Sequence, residues 1–201
     1  MFSTKNFNRI KPIVFIIALF PSLLWVYQFI SGNLGVNPIE RIMDEFGLMA
    51  LRLIILTLII STIANLQQLK SIVVFRRMIG LFAFYYVCLH FSSYIFLDHF
   101  LDLQFIIKDI IKRPFITFGF ISFLILIPLA VTSTNSMVKK LGFNLWKKLH
   151  YLIYPAAILS SMHFYMLVRA NKSEPAIYMG IIILLLLYRV FKKITPRPLA
   201  R

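Results

Sequence analysis

Cysteine, acidic side chains and charge in general are scarce in this 201-residue chain. The single cysteine, Cys88, excludes an internal disulfide. It also excludes a four-cysteine iron–sulfur site, and no C-x-x-C-H stretch exists for covalent c-type haem attachment. Cys88 lies in an apolar run and reads as a small core residue. No G-x-G-x-x-G pattern is present, so there is no sign of a dinucleotide-binding module. Only 14% of residues are charged, against about 25% in soluble domains. This scarcity excludes a soluble globular enzyme. Hydrophobic residues make up 60% of the chain and the mean hydropathy is +0.82, which places the chain in a bilayer and rules out disorder.

Acids number 7 against 22 lysines and arginines, a net charge of +15. A basic excess can mark nucleic-acid binding, but that requires a soluble basic face. In a membrane protein it reports topology. A bilayer core of about 30 Å takes roughly 20 apolar residues per helix. Six runs qualify: 12–30, 47–66, 78–97, 115–133, 149–168 and 176–191. The last is short, with Tyr178 and Tyr188 as interface anchors. The first follows Lys5, Arg9 and Lys11 as a signal peptide would, but no small-x-small cleavage site follows it, so it is taken as a span. The expected fold is an all-α membrane protein, a six-helix bundle forming a single domain over residues 1–201.

Charge sets the orientation. Lys5, Arg9, Lys11, Lys70, Arg76, Arg77, Lys139, Lys140, Lys147, Lys148, Arg189, Lys192, Lys193, Arg197 and Arg201 fall on one side with no acid among them. Glu40, Asp44, Glu45, Asp98, Asp102, Asp109 and Glu174 all fall on the other, with Arg41, Lys108, Lys112, Arg113, Arg169 and Lys172. The positive-inside rule then puts both termini in the cytoplasm. No loop is long enough for a further domain.

The four histidines carry the chemistry. His99, beside Asp98 at the outer end of span three, reads as a solvated interface residue. His90, His150 and His163 lie within spans three and five, where an ionisable group is costly and marks a site, although any one alone can simply bond a neighbouring helix. Both spans run outward. His90 lies ~18 Å and His163 ~21 Å up their helices at 1.5 Å per residue. Two imidazoles at one height suit axial ligation of a single haem between helices. His150 lies ~20 Å below His163, at the inner membrane face, and suggests a second, inner haem. Its counterpart on span three is Arg77, preceded by Arg76. Arginine is a poor metal ligand but suits a haem propionate. On one ideal helix, positions 150 and 163 are roughly 140° out of phase, and a kink at Pro155 is expected to change that. Arg52, near the outer face of span two, also needs a partner: a propionate of the outer haem, or the interface by snorkelling.

The stretches FYYVCLHFSSYIFLD (84–98), KRPFITFGFISFLILIPLAVTST (112–134) and LGFNLWKKLHYLIYPAAILSSMHFYMLV (141–168), with GLMALRLIILTL (47–58), resemble the ferric-reductase-like transmembrane domain. Within it they are most similar to the MsrQ (YedZ) family, the haem-binding membrane subunits of the bacterial periplasmic methionine-sulfoxide reductase system. The resemblance spans roughly residues 40–170 and places His90, His150 and His163 on the family's haem-ligand positions. The wider ferric-reductase group has a second histidine on span three, where this chain has Arg76 and Arg77.

The resemblance implies b-type haem, one or two per chain, and flavin mononucleotide in at least some members. It implies electron transport across the bacterial inner membrane for protein repair. The donor is quinol or a cytoplasmic flavin reductase, and the acceptor a periplasmic molybdenum-containing catalytic subunit. The chain is then an electron-transfer subunit of an oxidoreductase complex without catalytic residues of its own. A stand-alone ferric or cupric reductase is the alternative on the same bundle. A transporter or scaffold fits less well, because no carboxylate lies within the spans for ion coupling.

Overall fold

The computed structural model describes residues 4–64 and 72–194, and every long element among them is helical. Lys70, Arg197 and Arg201, used above for orientation, lie outside the described residues. The helices are α1 (Thr4–Ile30), α2 (Pro38–Ile63), α3 (Arg76–Ser93), α4 (Leu103–Lys112), α5 (Pro114–Val131), α6 (Asn135–Leu141), α7 (Phe143–His150), α8 (Ile153–Leu167) and α9 (Ser173–Ile194). Their starts follow local chemistry. Asn37 caps α2, its side chain accepting from the Glu40 N–H, and Pro38 takes the first helical position, where no N–H is needed. Asp102 caps α4 by accepting from the Phe105 N–H at 3.0 Å, and Pro114 opens α5.

Five stretches are long and apolar enough to cross a bilayer: Arg9–Ile30, Pro38–Ile63, Ile72–Asp98, Pro114–Val131 and Ser173–Phe191. They carry five of the six expected runs. The remaining run, 149–168, is not one helix. It divides into the end of α7, a turn at residues 151–152, and α8. At 15 residues, α8 is ~22 Å long at 1.5 Å per residue. Pro155 sits in its first turn, where a missing N–H costs no helical bond. The break therefore precedes the proline, and the phase difference between His150 and His163 on a continuous helix no longer applies.

α2 packs most extensively on α3, and α5 on α8, with α9 against α8 and α2. The first pair buries Ile42, Phe46, Ile54 and Leu58 against Ile79, Phe82 and Tyr86. The second uses small residues: Ala156 and Ala157 are fully buried, and Ser122 Oγ donates to the Ala156 carbonyl at 2.9 Å. Small contact residues allow such close backbone approach in the membrane. α1 leaves Ile13, Ile16, Ile17, Phe20 and Leu23 exposed, as suits lipid contact.

Two features between the spans were not foreseen. α3 ends in one π-helical turn, Tyr94–Asp98, followed by Phe100 and Leu101 at φ +47° and +65°, a left-handed reversal that returns the chain to the bundle. α4 then buries Ile106 and Asp109, and exposes Leu103, Ile107 and Ile111 beside Gln104, Lys108 and Lys112. That pattern is amphipathic, an apolar edge beside a basic one, as in helices that suit a membrane interface.

α1 is held by a hydroxyl inserted into its own backbone ladder. Tyr86 OH donates to the Ala18 carbonyl at 2.7 Å and accepts from the Ser22 N–H at 3.2 Å, beside Pro21, which supplies no N–H. Tyr86→Phe removes the bridge and leaves both main-chain groups without it in an apolar setting. A loss of about 1–3 kcal/mol is expected, read as a lower midpoint in thermal unfolding of the detergent-solubilised protein. An unchanged midpoint would show that the hydroxyl contributes nothing.

Candidate functional site

α3 and α8 bring the rings of His90 and His163 together. Their ring centres are 6.1 Å apart with the planes 75° apart. Each Nδ1 meets a main-chain carbonyl: Met43 on α2 at 2.9 Å for His90, and Phe115 on α5 at 2.6 Å for His163. A carbonyl only accepts, so Nδ1 carries the proton and donates in both rings. Nε2 is then the lone-pair nitrogen of each imidazole. The hydrogen bond made by one ring nitrogen sets which one is free for metal. A metal–imidazole bond of about 2 Å, plus about 1 Å from nitrogen to ring centre, puts two rings on opposite sides of one iron roughly 6 Å apart. The observed spacing fits one iron between these rings, and the tautomer fits as well.

His150 ends α7 at the opposite end of the bundle. Its Nδ1 donates to the Trp146 carbonyl at 3.0 Å, and the Trp146 indole stacks on its ring at 4.0 Å. Trp146 is itself fixed by Nε1 donating to the Thr132 carbonyl at 2.9 Å. His150 Nε2 is buried without a hydrogen-bond partner among the described residues; the Leu129 carbonyl is near but outside hydrogen-bonding geometry. An orphaned buried nitrogen of this kind suits a ligand position.

Arg76 and Arg77 lie within electrostatic reach of His150, and Arg77 donates to Asn135 Oδ1. Arg189, which sequence reasoning used only for topology, turns into the bundle. Its Nη2 donates to the Leu58 carbonyl at 2.7 Å and its Nη1 to Tyr154 OH at 2.7 Å. This end of the described bundle thus gathers three guanidiniums, and the Arg77 and Arg189 partners named here are neutral. Arg52 is placed elsewhere: Nε donates to Tyr178 OH at 2.8 Å, and Nη2 lies 3.8 Å from Glu174 Oε1. α9 supplies the partner that the sequence left open.

His99 is not a freely solvated residue. Its side chain is 15% exposed, with Nε2 3.4 Å from Asp98 Oδ2 and 3.9 Å from Asp109 Oδ2. Asp109 is buried, and it accepts from Tyr94 OH at 3.0 Å and pairs with Arg113 Nε at 2.9 Å. The reversal after α3 and the burial of one face of α4 create this cluster. The amphipathic pattern of α4 is present in the sequence, but the reversal that turns it back onto His99 is not.

The family of ferric reductase like transmembrane components matches residues 46–161. The chain is 44% identical over 192 residues, 94% of its length, to the protein-methionine-sulfoxide reductase heme-binding subunit MsrQ of Herminiimonas arsenicoxydans, covering 88% of that protein. It is 43% identical over 194 residues to the protein of the same name from Rhodospirillum rubrum, covering 96% of this chain and 93% of that one. It is 43% identical over 177 residues to the one from Caulobacter vibrioides, covering 88% and 84%. Identity at this level over nearly the whole length, on a bundle that pairs His90 with His163, shows that the chain belongs to the MsrQ family of ferric-reductase-like transmembrane proteins.

Proposed function

We propose that this chain is the haem-binding, electron-transferring membrane subunit of a methionine-sulfoxide reductase system. The observation that carries the reading is the pair of facing imidazoles, both with Nδ1–H committed to a main-chain carbonyl. His90 and His163 hold the outer haem through Nε2. His150 holds an inner haem, with Arg76 and Arg77 as the cations for its carboxylates; Arg52, which rests on Tyr178 and Glu174, would serve an outer carboxylate only by leaving Glu174. The haem is b-type by family likeness, and no C-x-x-C-H stretch is present for covalent c-type attachment. When bound, haem supplies one-electron exchange.

The protein's own contribution is to fix the rings and to exclude water. The carbonyls of Met43 and Phe115 pull on each Nδ1–H and raise the basicity of Nε2. The α2–α3 and α5–α8 contacts enclose the two half-buried rings between helices. Trp146 fixes the His150 ring by stacking.

In the membrane, α8 with the preceding turn makes the sixth crossing, and both termini lie at the cytoplasmic, basic face. The whole chain forms one transmembrane domain in the bacterial inner membrane. Electrons enter at the inner face, from quinol or a cytoplasmic flavin reductase. They leave at the outer face to a periplasmic molybdenum-containing catalytic subunit. Flavin mononucleotide is a further cofactor by family likeness. α4 offers that outer partner a basic edge at Lys108 and Lys112, beside acids of the outer loops. Such mixed-charge surfaces suit fast, weak encounters.

Three outcomes check this reading. His90→Ala and His163→Ala each lose the same low-spin component in the visible spectrum; a full low-spin spectrum in either variant contradicts the pairing. His150→Ala lowers the haem content per chain, measured by pyridine haemochrome against protein, whereas unchanged stoichiometry leaves His150 no ligand role. Lys108→Glu with Lys112→Glu slows re-oxidation of the reduced subunit by its catalytic partner several-fold, and added salt does the same to the parent protein. Insensitivity to both changes places docking elsewhere. Arg113 is unsuited to that test because it neutralises the buried Asp109.

A further inference from the structure

The two histidines are seated by the same device, built twice. His90 donates to the carbonyl of Met43, and four residues after Met43 stands Gly47. His163 donates to the carbonyl of Phe115, and four residues after Phe115 stands Gly119. In a helix, the carbonyl of one residue is given to the N–H four residues on. Each histidine therefore shares the carbonyl that belongs to a glycine's own helical bond.

The glycines are also where the rings touch the backbone. A Cβ on Gly47 would lie 2.9 Å from His90 Nδ1, and a Cβ on Gly119 would lie 2.9 Å from His163 Nδ1. Both distances are too short for a carbon against a ring nitrogen. Neither ring can retreat without lengthening its bond to the carbonyl or shifting towards the facing imidazole. The arrangement recurs in two helical hairpins, α2–α3 and α5–α8, the two most extensive helix contacts of the fold. Gly47 and His90 are 43 residues apart and Gly119 and His163 are 44 apart. The sequence shows no repeat at the level of residue identity, yet the hairpins share this geometry.

We propose that Gly47 and Gly119 are positioning residues for His90 and His163. Each forms a notch in the facing helix that lets an imidazole reach a main-chain carbonyl, and so fixes its tautomer, its ring angle and the donor strength of Nε2. The proposal rests on the ligation reading above and adds to it the reason for two glycines in the middle of spanning helices. Glycine lowers helix stability relative to alanine, so alanine here would be expected to favour the helix while disturbing the ring. Gly80 supplies the control. It lies on α3 against α2, and a Cβ there would lie 3.8 Å from Thr57 Cγ2, an ordinary contact.

The test compares Gly47→Ala, Gly119→Ala and Gly80→Ala in the haem-loaded full chain by electron paramagnetic resonance and redox titration. The ferric low-spin g values depend on the angle between the two imidazole planes, and the midpoint potential depends on the Nδ1–H bond. Both Gly47→Ala and Gly119→Ala shift the g values or produce high-spin iron. Each raises the midpoint, because the ligand loses donor strength with its carbonyl. Gly80→Ala leaves both unchanged. Parent-like g values and midpoint in Gly47→Ala and Gly119→Ala overturn the proposal, as does an equal shift in Gly80→Ala.

A second measurement needs no variant. In the haem-free parent chain, nitrogen NMR of labelled histidine shows the Nδ1–H tautomer at His90 and His163, and the Nε2–H tautomer at either overturns the proposal. Failure of the ligation reading is separately visible, since His90→Ala and His163→Ala would then keep the low-spin signal.

Discussion

Two hydrogen bonds from imidazole Nδ1–H to main-chain carbonyls, at Met43 and Phe115, are the constraint on which the remaining arrangement depends. Inside a bilayer an uncommitted imidazole rotates, exchanges tautomers or draws water. A carbonyl partner removes those options, because it only accepts and because it belongs to a helix that cannot move alone. The helix carrying each carbonyl must therefore pack closely on the helix carrying each histidine. That requirement coincides with the two most extensive helix pairs of the bundle, α2 with α3 and α5 with α8. Close packing in turn calls for small residues, which explains Ala156, Ala157 and the Ser122 bond to the Ala156 carbonyl.

The opposite end of the bundle follows another logic. Arg76, Arg77 and Arg189 gather near His150, and the partners of Arg77 and Arg189 are neutral: Asn135, Tyr154, Thr62 and the Leu58 carbonyl. Neutral acceptors satisfy guanidinium hydrogen bonds without cancelling its charge, so this end holds positive potential suited to carboxylates or phosphates. Arg52 and Arg113, by contrast, are matched by the carboxylates of Glu174 and Asp109. Among the described residues, acid partners thus go to arginines at the end away from His150, while the Arg77 and Arg189 partners are neutral.

Much of this was legible before the fold was known, and for identifiable reasons. Hydropathy located the runs because lipid imposes a long apolar stretch whatever the tertiary contacts. The common depth of His90 and His163 followed from counting residues along helices of fixed rise. What depended on backbone detail was hidden. The break before α8 comes from a turn at residues 151–152, upstream of the proline that drew attention. His99 was assigned to solvent because it follows Asp98 at the end of a span, whereas its burial comes with α4, whose Asp109 lies ten residues on. Arg52 found Tyr178 and Glu174 on α9, a pairing across 126 positions that no local pattern carries. Nothing in the sequence marks Gly47 or Gly119, since only the approach of a ring from another helix distinguishes them from Gly80.

The central claim is that one iron is held between His90 and His163. Near-infrared magnetic circular dichroism of the ferric protein tests it most directly, because the porphyrin-to-iron charge-transfer band reports the pair of axial ligands. The account predicts a low-spin band at the energy of bis-imidazole coordination, carried by at least one haem per chain. A band at the energy of histidine–methionine or histidine–amine coordination, or only high-spin transitions, would contradict it.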